Sequence, residues 1–415
     1  MLMKSSTELV RQQNSALVLS ALRRSGPLSH TDISAQTGLA SATVSVITAE
    51  LERAHVIEKS EQPPHSGRGR PRVFFSQRRD CGYLIVVRIS SDIVQYSMID
   101  YSGTLIDRFE EPRNHGVAGT TDFVRSLLDS LDRLVLRSRL EKAQVLAISI
   151  SSKGIVDSAR PRLVWSPVFG SEVIDFAALL QPAWPAKVSL NNETLLVAQA
   201  LGLRADKSGE APFRALAALS LGHSIGVGVA RKDRAGELEV TAPNFGHMLH
   251  SPSAGLCRCG SNGCIEAAAG FYGILRTAFE VPPDTIPAKF VPLAEMDKIA
   301  VSARQGNRMA GYAFRQAGIA LGNGLSRMLS LYDRMPIFIT GPGTRYFELL
   351  QKGIDEGLAQ SHQVRQQGPP EISIIFDEQR LVFDGHLDRA LTDIDHDIAA
   401  LRLVSGSMGA LRQEA

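Results

Sequence analysis

Apolar residues recur at helical spacing in "LVLSALRRSG", with Leu17, Val18, Ala21 and Leu22 forming the stripe, and Gly26-Pro27 ends the run. Ser29 is placed to cap a second helix, "HTDISAQTG". Asp32 sits where a side chain reaches back to that cap, and Gly38 suits a left-handed stop. A third helix is expected over Ser41 to Ala54, with Val44, Ile47 and Leu51 on one face and Thr43, Ser45 and Thr48 pointing elsewhere. Two short strands, "HVIEKS" and "RVFFSQ", then flank "EQPPHSGRGRPR". From Cys81 the pattern changes. "GYLIVVRIS" and "IVQYSMIDYSGTLI" predict neighbouring strands that turn near Ser90 to Asp92, with a further turn at Tyr101-Ser102-Gly103. A helix over about Thr121 to Leu140 precedes the strand "VLAISIS" and the loop "SKGIVD". Later strands are "KVSLNN", "ALAALSLG", "IGVGVARK" and "MPIFIT"; residues 300–334, 345–361 and 386–404 read as helices. Strands alternating with helices predict an α/β body.

Helix, short glycine turn, helix is the pattern of a helix-turn-helix. Its second helix starts with the small hydroxyl residues Ser41, Thr43 and Ser45, where a recognition helix meets base edges. Two strands with a basic tip after such a pair make a wing. Arg68 and Arg70 in "RGRP" suit a narrow, A/T-rich minor groove, which concentrates negative potential. A flexible Pro/Gly linker with incidental arginines has the same composition; the preceding helices favour DNA contact. Charge agrees with this. Residues 1–80 hold 11 Lys and Arg against 7 Asp and Glu, while the rest holds 34 against 36. A basic head on a slightly acidic body points to an anionic partner at the N-terminus. The 415 residues are enough for two or three domains. No secretory pattern opens the chain, and the weakly polar run 215–230 is too short and too polar for a bilayer, so no membrane association is expected and the cytoplasm is the expected compartment, with the nucleoid reached through DNA.

Of 4 cysteines, Cys257, Cys259 and Cys264 fall within "CRCGSNGCIE", and Cys81 lies far away. Clustered cysteines in a reducing compartment more often hold metal than form disulfides. At "FGHMLHSPSAGLCRCGSNGCIE" the sequence resembles the ROK family of repressors and sugar kinases, on Gly246-His247 followed by Cys257, Cys259, Gly260, Gly263, Cys264 and Glu266. The resemblance extends over nearly the whole chain and includes a Gly-Arg-Pro wing at Gly69-Arg70-Pro71. It implies a winged helix-turn-helix followed by a two-lobed, actin-like (duplicated ribonuclease H-like) sugar-kinase domain. The implied division is 1–80 for the head, with wing and linker near 60–72, then 81–190 and 191–385 for the lobes, and 386–415 for a C-terminal helix region packing back on the first lobe. It also implies a closed, structural Zn²⁺ site of His247, Cys257, Cys259 and Cys264. His250 is a nearby substitute ligand.

Family kinases carry a D-x-G-x-T phosphate loop and a catalytic Asp in N-D-x-N. Here the first motif reads "VVRISSD", with Arg88 in place of the Asp and Ser90 in place of a glycine. The second reads "SLNNETLL", so Asn191 aligns with the sugar-binding Asn and Asn192 with the catalytic Asp. An amide cannot act as general base near neutral pH, although it can hydrogen-bond a hydroxyl. Asn244 stands for a sugar-binding Glu, "GHSIG" for a glycine loop and Lys153-Gly154 for Pro-Gly, while Asn191, His247 and Glu266 are kept. "IFITGPGT" reads as retained scaffold. The expected ligand contacts are Gly154, Asn191, Asn192, Asn244, His247 and Glu266. The expected function is a non-enzymatic transcription regulator, a homodimeric or tetrameric repressor of carbohydrate-utilisation genes that binds a palindromic, A/T-rich operator and responds to a sugar or sugar derivative. The competing readings are a sugar kinase fused to a DNA-binding head, a metal or redox sensor using the cysteines, and a pocket that binds nothing.

Overall fold

The computed structural model of the protein describes residues 6–62, 72–113, 120–157, 160–208 and 213–410. Arg68 and Arg70 lie outside them. The head comprises α1 (Ser6–Ser25), α2 (His30–Thr37), α3 (Ser41–Arg53) and an antiparallel pair, β1 (Ile57–Gln62) and β2 (Arg72–Gln77). The start of α2 is fixed as expected. The Ser29 hydroxyl donates to Asp32 Oδ2 (2.6 Å), and the Ser29 backbone N–H donates to the same oxygen (3.1 Å). Gly38 closes the helix at φ +70°, a conformation that glycine adopts without strain. Val18, Leu22, Ile33, Val44, Ile47 and Leu51 form the core of the head. Two expectations fail. Leu17 is 44% exposed and lies off the stripe. Thr48 is 1% exposed: its hydroxyl donates to Val44 O (2.9 Å) and bonds His30 Nε2 (2.8 Å), so its polarity is satisfied inside the fold.

The first lobe holds β3 (Tyr83–Ile89), β4 (Ile93–Asp100), β5 (Leu105–Pro112), α4 (Thr120–Arg137), β6 (Val145–Ser152), β7 (Ile155–Asp157), β8 (Arg162–Trp165), β9 (Ile174–Asp175), α5 (Phe176–Leu180) and β10 (Lys187–Asn192). Its main sheet runs β10-β6-β3-β4-β5, and β7-β8-β9 form a small antiparallel sheet beside it. The "GIVD" stretch, expected as loop, supplies β7.

The second lobe holds α6 (Glu193–Ser208), β11 (Ala215–Ser220), β12 (Gly226–Lys232), β13 (Leu238–Thr241), α7 (Ile265–Ala269), α8 (Phe271–Ala278), α9 (Leu293–Arg304), α10 (Arg308–Leu331), β14 (Ile337–Thr340), α11 (Phe347–Ala359), α12 (His362–Gln367) and β15 (Ile372–Ile374). Its sheet runs β13-β12-β11-β14-β15. In both sheets the first three strands in chain order pair antiparallel, and the last two add parallel on the other side of the first. One topology is therefore used twice. Glycines bring α10 and α11 into close contact: a Cβ on Gly322 would lie 2.3 Å from Ile354 O, and one on Gly318 2.2 Å from Leu350 O.

The last helix, α13 (Glu378–Ala410), begins earlier than the 386 expected. It packs on α6 and returns to the first lobe, where Leu391, Ile394 and Ile398 join a single apolar cluster with Leu84 and Val86 of β3 and with Val18 and Leu22 of α1. The head is thus seated on the body through a continuous core. No helix among the described residues is long and apolar enough to cross a membrane.

Candidate functional site

The parallel pair β6 and β10 ends with Asn191 beside Ser151 and Asn192 beside Ser152. These strand ends open onto a cavity of about 500 Å³ that also reaches the second lobe and α13. Gly154, Asn191, Asn192, Asn244, His247 and Glu266 all line it. Their states differ. Asn191 is 7% exposed, and its Nδ2 has no protein partner among the described residues. Glu266 is 1% exposed; Oε2 accepts from the Ile225 N–H (3.1 Å) while Oε1 has no partner among the described residues. Burial raises the Glu266 carboxyl to about 7. Ser224 Oγ, not anticipated from the sequence, is a third buried polar atom in the cavity without a partner among the described residues. Each such atom costs about 1–3 kcal/mol when left unsatisfied. Together they make a cavity that favours a ligand rich in hydroxyls.

Asn192 has a different occupation. Its Nδ2 donates to Gly154 O (2.7 Å), and its Oδ1 accepts from the Thr194 N–H (2.8 Å) and hydroxyl (2.7 Å). The amide ties the turn after β6 to the start of α6. Gly154 stands at φ +132°, and a Cβ there would meet Trp165 O at 2.2 Å, so the turn requires glycine. Trp165 makes an edge contact with His247, with ring centroids 4.8 Å apart. Asn244 is exposed at the mouth.

Behind the His247 wall, the ligand atoms of His247, Cys257, Cys259 and Cys264 all lie within 4.8 Å of one another. Cys257 Sγ is 3.5 Å from His247 Nδ1, and Cys259 Sγ is 3.7 Å from Cys264 Sγ. A tetrahedron with metal–sulfur bonds of about 2.3 Å and metal–nitrogen bonds of about 2.0–2.1 Å has edges of about 3.8 Å and 3.6 Å. The group is therefore already spaced to hold a metal ion. Burial lowers the His247 pKa and so favours the neutral, ligating imidazole. Burial pushes the Cys257 thiol up to about 11 and raises Cys264 as well, a cost that a bound cation reverses. The Tyr272 hydroxyl donates to Cys257 Sγ (3.4 Å), and Arg258 reaches Ala288 O (2.7 Å) and His223 O (3.0 Å), fixing the loop from both sides. His250 is not part of the group.

Where the two lobes meet, Arg88 Nε donates to Glu193 Oε1 (2.8 Å), and its Nη2 lies 3.7 Å from Glu378 Oε2. Lys153 Nζ lies 3.8 Å from the same Glu378 oxygen and donates to Ser220 Oγ (3.1 Å), which in turn donates to Glu378. Two cations and two buried carboxylates balance here. Breaking such a network leaves an uncompensated charge, so it persists only as a whole. Glu193 and Glu378 carried no signal in the sequence.

On the head, Ser41 and Ser45 are exposed on α3 and Thr43 is half-buried. The head meets the body through Arg23, whose Nε and Nη2 donate to Asp395 (2.9 and 2.7 Å) and whose Nη1 donates to Tyr101 O (2.8 Å). The Tyr101 hydroxyl donates to Asp395 (2.5 Å).

The profile of the ROK family matches residues 97–375. The chain belongs to the ROK family. A winged helix-turn-helix DNA-binding profile matches residues 14–58, ahead of the ROK match. Among curated proteins, the chain is 24% identical to a xylose repressor of Caldicellulosiruptor bescii, over 93% of this chain and 97% of that protein. It is 23% identical to the DNA-binding transcriptional repressor Mlc of Escherichia coli, covering 88% of each. Among solved structures, a ROK family transcriptional regulator described as a homolog of Escherichia coli Mlc superposes with a TM-score of 0.73 at 20% identity, over 94% of this chain and 99% of that one. A ROK family glucokinase from Streptomyces griseus, in complex with glucose and AMPPNP, superposes with a TM-score of 0.54 at 20% identity, over 74% of this chain and 99% of that one. The fold is thus a winged helix-turn-helix joined to the two-lobed, actin-like ROK body.

Proposed function

We propose that the protein is a DNA-binding repressor of carbohydrate-utilisation genes, and that its body senses a sugar or sugar derivative without phosphorylating it. The observation that carries this reading is the pairing of a cleft holding three buried polar atoms without partners among the described residues, Asn191 Nδ2, Glu266 Oε1 and Ser224 Oγ, with a helix that joins that cleft to the DNA-binding head. Arg389 and Asp393 of α13 line the cavity, and Asp395 of the same helix holds Arg23 of α1. Relatives matched over most of their length are themselves named repressors. Ligand contacts come from Gly154, Asn191, Asn244, His247 and Glu266, while Asn192 lines the same cavity and holds its turn. A ligand that binds one lobe arrangement better than the other shifts α13 and with it the seat of the head.

The chemistry of transfer is missing from this reading. The guanidinium of Arg88 is committed to Glu193 and Glu378 and cannot ligate Mg²⁺. The Asn192 amide accepts no proton near neutral pH and is engaged with Gly154 and Thr194. The four-residue centre takes Zn²⁺ as a structural ion, His247 joining the metal loop to the cleft wall; bound zinc supplies cross-linking and no open position. On DNA, Ser41, Thr43 and Ser45 face the major groove and Arg68 and Arg70 the minor groove. A homodimer, or a tetramer, places two heads on a palindromic, A/T-rich operator in the cytoplasm.

The test begins with a thermal-unfolding screen against sugars, amino sugars, sugar acids, polyols and sugar phosphates. A ligand at 100 times its Kd adds about 2.7 kcal/mol of stability. The stabilising compound is then added to the protein on genomic DNA fragments. Ligand-dependent change in retention at a defined fragment is the expected result. Sugar-dependent ATP turnover, lost on substituting Asn191, would overturn the reading in favour of a kinase.

A further inference from the structure

We propose that α3 reads thymine through its methyl groups, with Val46 as the side chain that sets specificity. This rests on the DNA-binding function proposed above and names what the head recognises. Val46 is 56% exposed on an otherwise well-packed helix. Ser41, Ala42, Ser45 and Ala49 are exposed with it, and these five positions fall on one arc opposite the buried Val44, Ile47, Thr48 and Leu51. The arc carries no Arg, Lys, Asn or Gln until Arg53, in the last turn. The bidentate pairs that read guanine, from Arg or Lys, and adenine, from Asn or Gln, are therefore absent from the first three turns. Serine hydroxyls accept or donate to several bases and discriminate little. What remains is the aliphatic surface of Ala42, Val46 and Ala49. In the major groove the one apolar feature that distinguishes a base is the C5-methyl of thymine.

The charges around the arc agree with a helix that enters the groove on its apolar side. Both carboxylates of α3 are neutralised within the head: Glu50 accepts from Arg11 Nε (3.3 Å), and Glu52 lies 3.0 Å from Lys59 Nζ. Neither faces the phosphates as a free anion. The first three turns of the arc are thus uncharged, with Arg53 and the paired Glu52 confined to the last turn, a surface that selects by shape and methyl contact.

The experiment uses the full chain, loaded with Zn²⁺, and a duplex that it enriches from a random pool. Each thymidine of the enriched duplex is replaced in turn by deoxyuridine, which removes the methyl and keeps the hydrogen-bonding edge. At one or two positions per half-site uracil should weaken binding about fourfold, the value of one buried methylene-sized group. Val46→Ala should bind the thymine duplex at that weaker level and be indifferent to uracil there. Val46→Thr, which keeps one γ-methyl, should restore part of the penalty. An unchanged melting temperature for both variants confirms that the exposed side chain acts at the DNA. Uracil without effect at every position, or Val46→Ala with the full uracil penalty retained, overturns the inference and leaves the DNA-binding function standing. A pool from which the chain enriches no sequence overturns both.

Discussion

Asn191 and Asn192 are adjacent amides with opposite roles, and only their surroundings separate them. Asn192 is paired at both ends with the protein, whereas Asn191 keeps a buried Nδ2 without a partner among the described residues. Asn191→Ala should therefore change the melting temperature of the free protein little, because its Nδ2 makes no hydrogen bond among the described residues, yet abolish the ligand-induced rise found in the screen. Asn192→Ala should destabilise the free protein by about 1–3 kcal/mol through the orphaned Gly154 O and α6 terminus. Thermal melts with and without the stabilising sugar separate the two. His386 offers a second measurement at this scale. It is fully buried on α13, its Nδ1 is 2.8 Å from Ser149 Oγ, and burial depresses its pKa to about 3. Between about 6.5 and 3 the unfolded chain binds a proton that the native protein refuses, so stability is full above about pH 6.5 and falls as pH drops through that window. Urea melts of His386→Gln should show a shallower loss of stability between pH 6.5 and 4 than the parent. The cysteine cluster was readable because spacing and residue type coincide there, and the six residues that line the cavity were readable through the resemblance to family motifs. Ser224, Glu193 and Glu378 were not, since an isolated serine or glutamate acquires its role only from partners distant in the chain.

Elements defined by capping and amphipathic pattern were the most readable. The Ser29–Asp32 cap and Gly38 stop of α2 are local chemistry, and they stand as expected. Less visible was the break at Gly306, whose φ of +91° separates α9 from α10 in what reads as one helix over 300–334. The close packing of α10 on α11 was invisible because Gly318 and Gly322 look like weak points in a helix until Gly353 and Gly357 face them. Gly322→Ala raises intrinsic helix propensity by about 1 kcal/mol but drives a methyl into the Ile354 carbonyl. The net effect should be destabilising, by about 1–3 kcal/mol in chemical denaturation, because the collision is with backbone and not with a side chain that can turn away.

For the whole molecule, the decisive contacts are those that join head, lobes and metal loop. Arg23→Ala leaves Asp395 buried beside Tyr101 without its cation, which should cost about 3–5 kcal/mol. Calorimetry should then show the head melting apart from the body, and DNA binding should lose its response to ligand while keeping its affinity. Arg23→Lys, unable to form the two-pronged contact, should fall between. Metal removal is the counterpart at the other lobe. A strong chelator should lower the melting temperature and disorder the 257–264 loop, and readdition of Zn²⁺ should release protons from the thiols as it restores the fold. Chelation that freed DNA while the body stayed folded would instead make the cluster itself the sensor.

The seat of the head on α13 also orders events during synthesis. Arg23 and Asp395 lie 372 positions apart, and the core beneath α1 needs Leu391, Ile394 and Ile398. At roughly 5–20 residues per second, the ribosome makes the head well before the helix it rests on. Until then the apolar underside of α1 lacks the residues of α13 that cover it. A chain released early would carry the head without the helix that joins it to the cleft, its apolar seat left uncovered.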